Sequence, residues 1–132
     1  MTQEEEKNLL LKDLCTRLPY GVRYRHFTWN DEYGETYIAA QIYSINTDGY
    51  VKNCHDDETV YIDNVRPYLF PLSSMTEEQK KEYQYITERW MNDPVYSISN
   101  SIDWLNKHHF DYRGLIEKGL ALEAPEEMYK TE

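Results

Sequence analysis

The chain has 132 residues, 40% of them apolar and 29% charged, with a net charge of −10. That length fits one domain with a core of its own, and that composition argues against wholesale disorder. The charge disfavours a general nucleic-acid surface, which needs lysine and arginine against phosphate, and no apolar run approaches the ~20 residues of a membrane span.

The first element in chain order is a helix over residues 1–20. Thr2-Gln3-Glu4-Glu5 reads as a capping box, and acidic residues fill the first turn, where the helix dipole favours them. Leu10, Leu11, Leu14, Cys15 and Leu18 form a stripe of helical period, so Cys15 is expected in the core. Pro19 and Gly21 end the helix. "MTQEEEKN" is acidic and lacks the h-region of a secretory signal. With only two cysteines, Cys15 and Cys54, this sets the expectation of reduced thiols in a cytosol.

From Gly21 to residue 72 the period changes to two. "GVRYRHF" alternates Val22, Tyr24 and His26 against Arg23, Arg25 and Phe27. "TYIAAQIYSI" is apolar on both faces, as a central strand is. Asp48-Gly49 is a hairpin signal, "YVKNC" returns, "HDDE" turns again and "TVYID" is a fourth strand. "VRPYLF" reads as a fifth. A bent antiparallel meander of four to five strands can curl into a small SH3-like barrel. Much of the tyrosine surplus, 13 residues, falls at strand spacing. Residues 31–63 hold eight acids, among them Asp31, Asp56 and Asp57, against Lys52 alone, a local −7. Solvated turns account for it, and so does a partner surface.

Residues 76–120 return to helical period. Thr76 and Gln79 form a second capping box, followed by the apolar positions Tyr83, Ile86 and Trp90. Asn92-Asp93-Pro94 stops this helix. A third begins near Ser99 or Ser101 and carries Ile98, Ile102, Leu105 and His109 on one face, with Trp104 and His108 as an i, i+4 pair. Asp111 can cap a further short helix that ends at Gly119. Residues 121–132 read as a polar, frayed tail. The fold class is therefore α+β, a single domain in which a helix precedes the strands and two to three helices follow. Expected core residues are Leu10, Leu14, Ile38, Ile42, Val60, Ile62, Tyr83, Ile86, Trp90, Trp104 and Leu105.

Three constellations could carry chemistry. Arg23, Arg25, Phe27 and Trp29 could hold an anionic or planar ligand by charge and stacking. His108, His109 and Asp111 are weak metal candidates, because adjacent histidines on a helix diverge by about 100°. Cys54-His55-Asp56-Asp57-Glu58 holds every ligand type, but neighbours in a strand point to opposite faces. It would need a partner such as His26 or His108. No phosphate-cradling or zinc-protease motif occurs, and no cofactor is implied.

"VRPYLFPLSSMTEEQKKEY" (65–83), "DWLNKHHFDYRGLIEKGLALEAP" (103–125) and "LLLKDLCTRLPYGV" (9–22) together resemble a group of short hypothetical proteins from prophages and mobile elements of gut bacteria. The likeness covers most of the chain and is weakest between about 30 and 63. That group has no assigned activity, so no functional residue carries over. The resemblance implies an accessory role in a bacterial cytoplasm. The leading expectation is a non-enzymatic protein that binds a host or phage protein, with homo-oligomerisation open. The alternatives are sequestration of a small anionic ligand, such as a signalling nucleotide, and a metal-dependent hydrolase using His55, His108 or His109.

Overall fold

The computed structural model describes residues 1–30, 32, 34–55, 58–89 and 93–130. Helix α1 is Gln3–Arg17, and Thr2 caps it by accepting the Glu5 N–H at 3.1 Å. Strands β1 (Arg23–Asn30), β2 (Gly34–Ile45), β3 (Tyr50–Asn53) and β4 (Thr59–Tyr61) follow. They pair in the order β1-β2-β3-β4, each antiparallel to the next, and the sheet curls into a half-barrel. Gly49 makes the β2–β3 turn at φ 91, a left-handed backbone that a side chain would strain. Among the described residues no pairing joins β4 to β1, so this sheet is a half-barrel and not a closed SH3-like barrel.

The predicted fifth strand forms, with a correction. Strand β5 (Tyr68–Pro71) does not extend the meander. It runs parallel to two short strands, β6 (Phe110–Asp111) and β7 (Leu122–Glu123), in a separate sheet. An antiparallel bridge between Tyr24 and Pro67 and the Arg25 N–H to Arg66 O bond tie this segment to β1.

Helix α2 (Glu77–Arg89) starts at the predicted capping box: Thr76 and Gln79 exchange hydrogen bonds of 2.9 and 3.1 Å. Helix α3 (Pro94–Lys107) begins earlier than Ser99. Asp93, read as part of a stop signal with Asn92, is its cap and accepts the Tyr96 N–H at 3.1 Å, while Pro94 supplies a preset φ. The short helix expected after Asp111 is a single turn. It is closed as helix ends are, by Leu120 N–H to Leu115 O and Gly119 N–H to Ile116 O.

Two apolar clusters hold these parts. Leu10 and Leu14 of α1 meet Val22, Tyr24, Ile42 and Val51 of the half-barrel. Trp104, Leu105 and Phe110 make the second cluster, with Tyr83 and Ile86 partly buried against it. Burial of each such side chain contributes about 1.5–3 kcal/mol. Of the expected core, Ile62 is also buried, Ile38 and Val60 are partly buried, and Trp90 lies outside the described residues. Cys15 is exposed, against expectation. The face of α1 that turns inward carries Asp13 and Arg17 beside Leu10 and Leu14, which rotates Cys15 outward. The tail also departs from expectation, because β7 docks on β5 and Tyr129 is seated at the junction of both sheets.

Candidate functional site

The most exposed aromatic group on the half-barrel lies on the β1–β2 hairpin. Strand β3 pairs with β2 only at Ile42–Ile45, and the Cys54 N–H reaches Gln41 O. Among the described residues, the part of β2 before Gln41 therefore pairs with β1 alone, and the hairpin runs out as a two-stranded ribbon. Thr28 and Thr36 tie its inner side through hydroxyls 2.6 Å apart. Strand alternation puts Arg25, Phe27 and Trp29 on its outer side, as the sequence predicts. Register adds Tyr37, directly across from Phe27. Their rings meet edge to face at 5.8 Å, and the Arg25 guanidinium lies 5.0 Å from the Tyr37 ring centre. Phe27, Trp29 and Tyr37 are 45%, 67% and 58% exposed.

Arg23 does not join this group. Its guanidinium lies 6.0 Å from the Tyr129 ring, and its N–H donates to Tyr129 Oη at 2.8 Å. The four predicted ligand residues are thus split, with Arg25, Phe27 and Trp29 on the ribbon and Arg23 at the seat of the C-terminal segment.

Between β1 and β4 lies a cleft of about 370 Å³, lined by Arg25, His26, Phe27, Tyr37, Glu58 and Tyr61 among others. His26 is almost wholly buried at its floor. Asn53 Nδ2 donates to Tyr24 Oη at 2.9 Å, and Tyr24 Oη lies 3.0 Å from His26 Nδ1. On the other side of the ring, the Glu58 carboxylate lies 3.6 Å from His26 Nε2. Sequence patterns assign His26 no role beyond that of a possible helper to Cys54-His55. The spacing of Tyr24 and His26, both inward on one strand, was the available signal. The approach of Glu58 depends on sheet curl and left none.

The histidine pair near the end of α3 packs against aromatic rings. The His108 ring packs tilted against Trp104 with ring centres 4.3 Å apart, and burial lowers its pKa. His109 takes a left-handed backbone, φ 62, that ends the helix, and its ring stacks on Tyr129 at 3.6 Å. Burial, reinforced by Arg17, lowers its pKa to about 4. Burial raises the Tyr129 hydroxyl to about 12, so it stays protonated and donates to Tyr68 O at 2.7 Å. The Asp111 carboxylate accepts the N–H groups of Leu115 and Ile116, both at 2.9 Å. The predicted capping role is present, over a turn instead of a helix. Cys54 and His55 are exposed, the His55 N–H bonds Asn53 Oδ1 at 2.8 Å, and Asp56 and Asp57 lie outside the described residues. Among the described residues no group of three or more His, Cys, Asp or Glu is placed to hold a metal ion. No helix of the described residues is long and apolar enough to cross a membrane.

No family model, curated protein or solved structure matches this chain.

Proposed function

We propose that the protein is a binding protein, an accessory factor of a phage or mobile element, whose ribbon face engages a host or phage protein. One observation carries the reading: Phe27, Trp29 and Tyr37 stand exposed side by side on the outer face of the ribbon. Two-stranded ribbons are marginal in water, and rigid aromatic side chains flanked by an arginine are what protein interfaces concentrate in their centres. The accessory role rests on the sequence resemblance alone.

The test places a photo-crosslinking residue at Trp29 or Tyr37, identifies the protein captured in bacterial lysate, and measures its binding in purified form. Replacing Phe27, Trp29 and Tyr37 together with alanine is expected to weaken that binding by at least about 30-fold, the effect of losing one central anchor worth about 2 kcal/mol. Equal affinity of the variant and the parent would remove the reading.

A second reading has a specific observation behind it. Arg25 over Tyr37 at the mouth of the cleft offers charge and a stacking face to a planar anion, such as a signalling nucleotide. Glu58 on the opposite wall opposes an anion there.

A further inference from the structure

The outer edge of β1 is unusual for an edge strand. Arg25 N–H bonds Arg66 O at 3.2 Å on the side away from β2. Backbone groups of an antiparallel strand alternate sides residue by residue, so Phe27 and Trp29 aim their N–H and C=O the same way as Arg25. Among the described residues, pairing on this edge stops at the Tyr24–Pro67 bridge. Beside Arg25–Phe27 the space opens into the cleft toward β4. Proteins protect such edges with charge, proline or bulges. Here the run along that edge is Phe27-Thr28-Trp29, with no Asp, Glu, Lys, Arg or Pro, in a chain that is 29% charged. No irregularity breaks the β1–β2 register along it.

We infer that this edge pairs with the same edge of a second copy, joining two half-barrels through an antiparallel β1–β1 contact. The run is self-complementary. A two-fold axis at Thr28 sets Phe27 of one copy opposite Trp29 of the other, twice, each pair exchanging both backbone hydrogen bonds. The aromatic rings then meet across the strands on the outer side, a favourable cross-strand pairing, and no like charges oppose each other along the contact. Pairing through the edge sets the two aromatic faces side by side, so it stands independently of what that face binds. Two bodies of net charge −10 repel at long range, and salt screens that repulsion over about 10 Å. Added salt therefore strengthens the contact, the reverse of an interface made by ion pairs.

Sedimentation equilibrium of the full chain, over a series of protein and sodium chloride concentrations, tests this. The mass is expected to rise from 15.9 kDa toward twice that value, and at lower protein concentration when salt is added. Phe27→Pro removes the N–H aimed at the second copy while leaving the ladder to β2, and is expected to hold the monomer mass. Phe27→Ala keeps the N–H and is expected to dimerise more weakly than the parent. A monomer at every concentration and salt, or a folded Phe27→Pro variant that dimerises like the parent, would overturn the inference. Should circular dichroism show Phe27→Pro unfolded, amide exchange on the unaltered protein decides. The Phe27 and Trp29 amides are expected to slow as concentration rises, and a dimer that leaves them unchanged is held together elsewhere.

Discussion

Replacing Asp13 with alanine is expected to lower the unfolding free energy by about 3–5 kcal/mol. Asp13 and Arg17 are both fully buried and meet at 2.7 Å one helical turn apart. Arg17 also donates to Phe110 O at 2.7 Å, while its Nη1 has no partner among the described residues. Arg113 approaches the other Asp13 oxygen at 3.2 Å. One carboxylate thus faces two guanidinium groups, and its removal leaves the Arg17 charge in the interior with a single carbonyl and the Tyr112 ring, 5.1 Å away, for company. Typical domains have only about 5–15 kcal/mol in total, so the variant should sit near the edge of folding. Urea titration reads the effect as a lower midpoint with an unchanged slope. Asp13→Asn, which keeps an acceptor and most of the volume, is expected to fall between the two. A loss under about 1 kcal/mol in Asp13→Ala, the size of an exposed pair, would show that Arg17 reaches water when its partner is gone.

The same residues show why sequence reading reached some parts and not others. Contacts between near neighbours were legible. Thr2 with Glu5 and Thr76 with Gln79 are set by three-residue spacing, and the Gly49 turn by its dipeptide. Alternation along β1 also put Arg25, Phe27 and Trp29 on the exposed side. Periodicity on α1 pointed to an apolar face that included Cys15, whereas the buried face contains an ion pair. Its charge is met by the carbonyl of Phe110, which no local pattern announces. The same holds for Tyr129. Its surroundings in sequence are polar, and its seat is built from His109, Arg23 and Tyr68. Strands β6 and β7, two residues each, are too short to alternate and exist because β5 lies between them. The cleft formed by His26 and Glu58 belongs to the curl of the sheet, a property of the assembled half-barrel.

Acid is expected to weaken the fold through His109, by up to roughly 3 kcal/mol between pH 6.5 and pH 4. The ring stacks on Tyr129, and its Nδ1 is buried with no partner among the described residues. Burial is the main force against protonation, and the positive charges of Arg17, His108 and Arg23 add to it, which brings the folded pKa to about 4. In the unfolded chain the same imidazole titrates near 6.5. Between those values the unfolded state holds more protons than the folded state, so stability falls as pH falls through this window and levels off, for this group, below about 4. His109→Asn isolates the contribution, since asparagine tolerates the left-handed backbone at φ 62 and has no proton to gain. The variant loses the stack and is expected to be less stable than the parent at pH 7. Carboxylates common to both chains weaken both on acidification and cancel in the comparison. The parent's advantage is therefore expected to shrink by up to roughly 3 kcal/mol from pH 7 to pH 4, measured by urea titration at each pH. An NMR titration that finds the His109 ring protonating near 6.5 in the folded protein would overturn this, and would mean that a proton enters beside Arg17 without cost.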